Sequence, residues 1–226
     1  MGKVVDGVSL EVIPITDEPL ESWDLPLLNQ DQSALSPLAP SLPNSPPSRL
    51  IGELVVYGPS TTQSYFKRPE GNRLSKIQGA PPHTVSLPYQ TLSHRMGDLG
   101  YVDEHGYVWL CGRKSHRVEW QGRTYFPLCV EGIFNQCPWI QRSALSQNQN
   151  GPVLWIILDP NQTKGQKWQQ IQKELLEWAQ KSPITEGINQ FYTLKAFPVD
   201  TRHNAKIKRE ILTQWAHERT LPSKEI

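Results

Sequence analysis

Pro152-Val153-Leu154-Trp155-Ile156-Ile157-Leu158 is apolar without a break and no longer than a single strand. A half-exposed strand would alternate, so this run reads as a central one. The segment after it has a different period. Trp168, Ile171, Leu175 and Trp178 fall three, four and three residues apart, which gathers them on one helical face. Thr163 with Gln166 predicts a capping box ahead of that helix, and Pro183 closes it. A last helix is expected to carry Ile207, Ile211, Leu212 and Trp215 on one side, and a shorter one lies around Val130 to Cys137. His116 to Trp120, Gln121-Gly122 and Arg123 to Phe126 read as a hairpin. Strands and helices are thus mixed after Arg113, the pattern of a small α+β domain.

The earlier part of the chain reads as β structure. Alternation ends the first segment at Ile13, and Gly52-Glu53-Leu54-Val55-Val56-Tyr57 is a β-branched strand bounded by glycine and Gly58-Pro59. Tyr101 to Cys111 gives two strand fragments about a glycine-containing turn. Between Ile13 and Gly52, Ser36 to Pro47 holds five prolines and can neither ladder nor stay helical. It reads as a mobile surface loop rather than a recognition ligand, although Pro37-Leu38-Ala39-Pro40 and Pro40-Ser41-Leu42-Pro43 fit PxxP.

The 226 residues allow one ordinary domain or two small ones. A formal charge of +1 removes the global electrostatic case for nucleic acid or an anionic membrane. Cys111, Cys129 and Cys137 form no CxxC pair, so neither a zinc ribbon nor a disulfide framework is expected, and no metal ligand set is assigned. No apolar run reaches the ~18 residues of a membrane span, and no basic-then-apolar leader opens the chain. The expected setting is the reducing cytoplasm.

Taken singly, the chemical candidates have ordinary explanations. Gly97-Asp98-Leu99-Gly100 alone is a loop whose aspartate caps a turn. Gly112-Arg113-Lys114 alone is a strand end, and Arg202 to Arg209 alone a solvated basic patch. Walker-type GxxxxGK[ST], HExxH, GxSxG and GxGxxG patterns are absent from the sequence.

The order of the motifs is more specific than any one of them. The chain reads Gly52-Glu53-Leu54-Val55-Val56-Tyr57-Gly58-Pro59, then Ser64-Tyr65-Phe66-Lys67-Arg68-Pro69-Glu70, then His94-Arg95-Met96-Gly97-Asp98-Leu99-Gly100-Tyr101. Asp103-Glu104-His105-Gly106-Tyr107, Gly112-Arg113-Lys114 and Phe197-Pro198-Val199-Asp200 follow, leading to Asn204-Ala205-Lys206-Ile207-Lys208-Arg209. This resembles the C-terminal half of the adenylate-forming enzymes: acyl-CoA synthetases, luciferases and peptide-synthetase adenylation domains. Gly112 to Glu119 and Val199 to Ile207 look most like the olefin-pathway β-lactone synthetases.

The resemblance implies an architecture and a chemistry. A small, mostly antiparallel β subdomain would occupy residues 1–113, with the proline-rich loop at about 17–50, and a mobile α+β lid residues 114–226. A carboxylate would attack the α-phosphorus of ATP, with Mg²⁺ present, giving an acyl-adenylate and pyrophosphate. Charge then concentrates on the reacting oxygens, so cations and positioned donors matter most. Lys206 matches the family's late lysine, whose ammonium bridges carboxylate and nucleotide, a contribution of about 3–4 kcal/mol. Asp98 matches the carboxylate that accepts from both ribose hydroxyls, and Arg113 the arginine that also approaches the ribose.

Departures are visible too. Ser115 stands where the family's hinge is usually Asp or Lys, although serine can absorb a φ/ψ change. Cys129 sits where a glutamate is common, and Ala205 replaces the usual glycine before the lysine, which would strain any positive φ there. In the β-lactone reading the substrate is a long-chain β-hydroxy acid whose own hydroxyl expels AMP. His116, Arg117 and His203 would serve that second step or fill the domain interface, and the interface role weighs more.

The family's phosphate loop, adenine loop and acyl pocket lie upstream of the matching region, and no counterpart is found in these residues. A truncated frame, an expressed fragment or one partner of a split enzyme is expected, inactive without an N-terminal adenylation half and not expected to bind ATP and Mg²⁺ tightly alone. Two other readings stay open: an acyl-CoA ligase fragment, and a non-catalytic interaction module. A nucleic-acid binder using Arg202 to Arg209 would show steep salt dependence, and the near-neutral charge counts against it.

Overall fold

The computed structural model describes residues 1–28, 51–200 and 203–218, without the side chains of 203–205. Ser36 to Pro47, with its PxxP segments, and Arg202 lie outside the described residues. The chain divides into two compact units, Met1–Ser115 and His116–Ile226.

The first unit runs β1 (Gly2–Lys3), β2 (Ser9–Ile13), β3 (Gly52–Tyr57), α1 (Pro69–Ser75), β4 (Lys76–Gln78), β5 (Leu92–Val102) and β6 (Tyr107–Arg113). Its sheet has the order β1-β6-β5-β3-β2, with β4 also on β5, and every pairing is antiparallel. The β-branched run of β3 lies mid-sheet, and Ile13, Val55 and Ile77 form a core covered by Leu20, Trp23, Leu25 and Leu27. The β5–β6 turn is built by Asp103. One carboxylate oxygen accepts from the His105 and Tyr107 amides at 2.9 and 2.8 Å, and the other from the Trp109 indole at 2.8 Å.

Strand β5 is not regular. Val55 faces Arg95 but Glu53 faces Leu99, so Leu54 alone answers Met96, Gly97 and Asp98. This bulge turns on Gly97, whose φ of 67° lies in the left-handed region that glycine enters freely. At Gly100 the demand is for space: a Cβ there would stand 2.4 Å from the Trp109 carbonyl oxygen.

The second unit opens on a 3₁₀ turn that spans the boundary, Lys114–His116. It continues with β7 (Val118–Trp120), β8 (Arg123–Tyr125), α2 (Pro127–Phe134), β9 (Ile140–Asn148), β10 (Gly151–Leu158) and α3 (Trp168–Ala179). Then come β11 (Gln190–Thr193), β12 (Val199–Asp200), β13 (His203–Ile207) and α4 (Arg209–Glu218). The β7–β8 hairpin turns on Gln121-Gly122 at φ 49° and 74°, two successive positive angles as in a type I′ turn.

The uninterrupted apolar run is indeed central, with β10 between β9, antiparallel, and β11, parallel. Its side chains alternate between two cores. Leu154 and Ile156 pack with Val130, Phe134, Ile171 and Leu175, while Val153 and Trp155 pack with Phe197, Ile207, Leu212 and Ala216. Mixed helices and mostly antiparallel strands make the fold α+β.

Three local expectations are corrected. Thr163 does not cap α3: its hydroxyl donates to the Asp159 carbonyl at 2.8 Å, and the helix starts four residues beyond the turn, with Lys167 at its N-cap. The competing turn wins because Asp159 also holds the Asn161 amide, so the chain is already committed before the helix begins. Ile207 belongs to β13 rather than to the last helix, yet it reaches the same core as Leu212. The short helix begins three residues earlier than its apolar residues suggested, at Pro127, where the missing amide costs nothing.

Candidate functional site

Asp98 is the last residue of the β5 bulge and faces Arg113, the end of β6, in the ladder. The Arg113 Nε lies 3.2 Å from Asp98 Oδ1, and Arg113 Nη1 donates to the Met96 carbonyl at 3.0 Å. The guanidinium therefore grips both flanks of Gly97. Asp98 is 18% exposed and Arg113 53%, so the carboxylate is recessed beside an open cation. Burial pushes the Asp98 carboxyl above its ordinary value, and Arg113 partly offsets that. A carboxylate accepts about four hydrogen bonds, and the Arg113 contact occupies one oxygen. The pair suits a ligand that brings two neighbouring hydroxyl donors and carries negative charge nearby.

Behind this pair lies a cluster that sequence reading missed. Arg95 Nη2 meets Glu53 Oε2 at 2.6 Å, and both side chains are 1% exposed. Arg95 also donates to the carbonyls of Glu18 at 2.7 Å and Thr16 at 2.6 Å. Lys114 Nζ reaches the same Glu53 oxygen at 3.0 Å and the Thr16 carbonyl at 2.7 Å. Glu53 lies inside a strand pattern and Arg95 inside the motif that carries Asp98, and the one available signal was the charge of Glu53 within an apolar strand.

Lys206 stands in β13, exposed, next to the buried Ile207, as period-2 alternation requires. Ala205 lies in the same strand. His203 begins it, and its side chain is outside the described residues. Ser115 is the last residue of the first unit and His116 the first of the second, both within the 3₁₀ turn. Arg117 Nε meets Glu119 Oε1 at 2.7 Å. Asp98 and Arg113 are thus brought together within one unit, whereas Lys206, His116, Arg117 and His203 belong to the other. Among the described residues no group of three or more His, Cys, Asp or Glu is placed to hold a metal ion. No described helix is long and apolar enough to cross a membrane.

No protein-family model matches the chain. Individual relatives do. The olefin β-lactone synthetase of Xanthomonas campestris is 36% identical over 220 residues, covering 96% of this chain and 36% of its own length. That of Stenotrophomonas maltophilia is 34% identical over the same length. The chain therefore spans about a third of these curated relatives. Among solved structures, O-succinylbenzoate coenzyme A synthetase from Bacillus subtilis, in complex with ATP and magnesium ion, superposes with a TM-score of 0.60. It is 19% identical, with 92% of this chain and 34% of that one covered. The anthranilate CoA ligase AuaEII with anthranoyl-AMP gives 0.65 at 19% identity, over 96% and 35%. At such identities these two structures show a shared fold. Motif order, fold and the 36% identity converge: over nearly its whole length the chain is similar to adenylate-forming enzymes, consistent with their C-terminal part.

Proposed function

We propose that the chain supplies the ribose site and the lid of an ATP-dependent ligase that activates a carboxylic acid as its adenylate. A substrate carboxylate oxygen attacks the α-phosphorus of ATP, the bond from that phosphorus to the bridging oxygen breaks, and pyrophosphate leaves. Asp98 accepts from the two ribose hydroxyls, and Arg113 fixes that carboxylate while its open face lies toward nucleotide. The ammonium of Lys206 neutralises the charge shared by substrate carboxylate and phosphate. Ser115 is the residue about which the second unit turns to bring that ammonium in. Mg²⁺ is proposed to arrive with the triphosphate. The observation that carries this reading is the recessed carboxylate of Asp98 held 3.2 Å from Arg113 at a bulge.

The substrate class follows from the relatives named olefin β-lactone synthetases. We infer a long-chain β-hydroxy acid, with a plain fatty acid as the second reading. After adenylation the β-hydroxyl oxygen attacks the acyl carbon, loses its proton, and AMP departs as the four-membered ring closes. His116, Arg117 and His203 are proposed to have a structural role rather than one in that closure. The cytoplasm is the proposed setting, where ATP is available.

The 226 residues contain no glycine-rich phosphate loop, so by themselves they are proposed not to adenylate any acid. Isothermal titration of the chain with AMP, beside its Asp98→Asn variant, tests the ribose site. Binding weakened about tenfold by the substitution, about 1.4 kcal/mol, supports the reading. Equal binding by both overturns it. Pyrophosphate release from the chain alone with ATP and β-hydroxy acids would refute the proposed dependence on a phosphate loop.

A further inference from the structure

We infer that Lys114 is a positioning residue, which together with Glu53 and Arg95 holds the Asp98–Arg113 pair in register; this rests on the nucleotide reading above. The three members of the buried cluster sit beside the bulge and the pair it displays. Arg95 is the last regular residue of β5 before the bulge, and Leu99, the first after it, faces Glu53. The Arg95–Glu53 ion pair at 2.6 Å therefore ties together the two ends of the three-residue excursion that carries Asp98. Without that tie a strand can relax its extra residues along the ladder, which would carry Asp98 out of line with Arg113.

Lys114 does the same for the other partner. It follows Arg113 directly, leaves the sheet, and turns its ammonium onto the same Glu53 oxygen at 3.0 Å and onto the Thr16 carbonyl at 2.7 Å. Its Nζ also lies 3.9 Å from Asp17 Oδ1. One buried carboxylate thus anchors β5 through Arg95 and the end of β6 through Lys114. Both cations bind the Thr16 carbonyl, so the 16–18 backbone closes the cluster.

Lys114→Met keeps the stem and deletes the charge, and Glu53 retains Arg95, so no buried carboxylate is stranded. Amide hydrogen exchange, followed residue by residue by NMR in the 226-residue chain, reads the outcome. In Lys114→Met, exchange at Asp98, Leu99 and Arg113 should quicken about tenfold, with the β9–β10 amides unchanged. Lys114→Arg, which restores the charge, should return exchange to within about twofold of wild type. AMP affinity, measured on the same samples, should follow exchange, falling about tenfold in Lys114→Met and recovering in Lys114→Arg. Unaltered exchange at the three amides in Lys114→Met overturns the inference, as does quickening that Lys114→Arg fails to reverse. If exchange responds as described but wild type binds no AMP, the positioning role stands and the nucleotide reading fails. Should Lys114→Met not fold, Lys114→Gln carries the same comparison.

Discussion

Lys76 and His94 face each other across β4 and β5, with Nζ 3.3 Å from the imidazole Nδ1. The ring satisfies its other neighbours as the neutral tautomer with the proton on Nδ1, donating to the Ser75 carbonyl at 3.1 Å and accepting from the Tyr65 hydroxyl at 3.3 Å. Lys76 donates to the carbonyl and the hydroxyl of Thr62. Burial and the adjoining ammonium depress the His94 pKa, and burial depresses that of Lys76.

The sign of the resulting pH dependence is fixed. Below the ordinary histidine value of 6.5 the unfolded chain takes up a proton that folded His94 refuses. Stability is therefore lost as the pH falls from 6.5 toward the depressed folded value. Urea unfolding at about pH 7.5 and about pH 5.5 should show a loss in wild type that is smaller in His94→Gln. An identical loss in both would remove His94 from the explanation.

In the second unit Arg209 and Glu131 form a two-pronged pair, Nη1 to Oε1 at 2.7 Å and Nη2 to Oε2 at 2.9 Å. Glu131 also accepts from the Leu145 amide at 2.8 Å, so one carboxylate joins α2, β9 and α4. Burial pushes its pKa up and Arg209 pulls it down, burial being the larger. Arg209→Met should cost about 3–5 kcal/mol at neutral pH by stranding a buried charge. Because the folded carboxyl pKa is raised, that loss should shrink on acidification, when Glu131 takes up its proton. Adding Glu131→Gln should recover part of it, a coupling that chemical denaturation of the two single variants and the double variant measures.

The sheet sets a separate limit at Gly100. Its ladder neighbourhood brings the Trp109 carbonyl so near that a methyl group would sit at 2.4 Å, against backbone rather than a yielding side chain. Gly100→Ala should destabilise the first unit by about 1–3 kcal/mol. Thermal unfolding checks this, and a melting temperature equal to wild type would show that β5 and β6 can separate without cost.

Much of this was legible in the sequence wherever one local signal decided the outcome. The apolar run of β10 and the 3-4-3 spacing of Trp168, Ile171, Leu175 and Trp178 name their own partners, because burial on one or two faces dictates period. Gln121-Gly122 announces its hairpin for the same reason, a backbone demand met by particular residues. The N-cap of α3 was illegible because two turns compete for Thr163, and only the fold decides between them. Glu53, Arg95 and Lys114 are far apart in sequence and meet only through strand register, so no spacing rule could have joined them. At the candidate site the order of the motifs pointed to Asp98 and Arg113 only through the resemblance it carries, while the bulge that presents the carboxylate arises from strand register.

The two halves of the proposed site should separate in kinetics. Lys206 is exposed on β13 and its neighbour Ile207 supplies the packing, so Lys206→Met should leave the melting temperature within about 1 °C of wild type. In the enzyme assembled with the segment that carries the phosphate loop, the same change should slow pyrophosphate formation about 10²–10³-fold while AMP affinity holds. Asp98→Asn should do the opposite, weakening nucleotide binding with a smaller effect on the rate at saturation. On the proposed reading the ribose contact is made equally in ground and transition states, whereas the ammonium would meet charge that develops only as the carboxylate attacks. Parallel titrations and single-turnover rates on the two variants distinguish these outcomes. A Lys206→Met enzyme that keeps its full rate would leave the acid-activating role of this lysine without support.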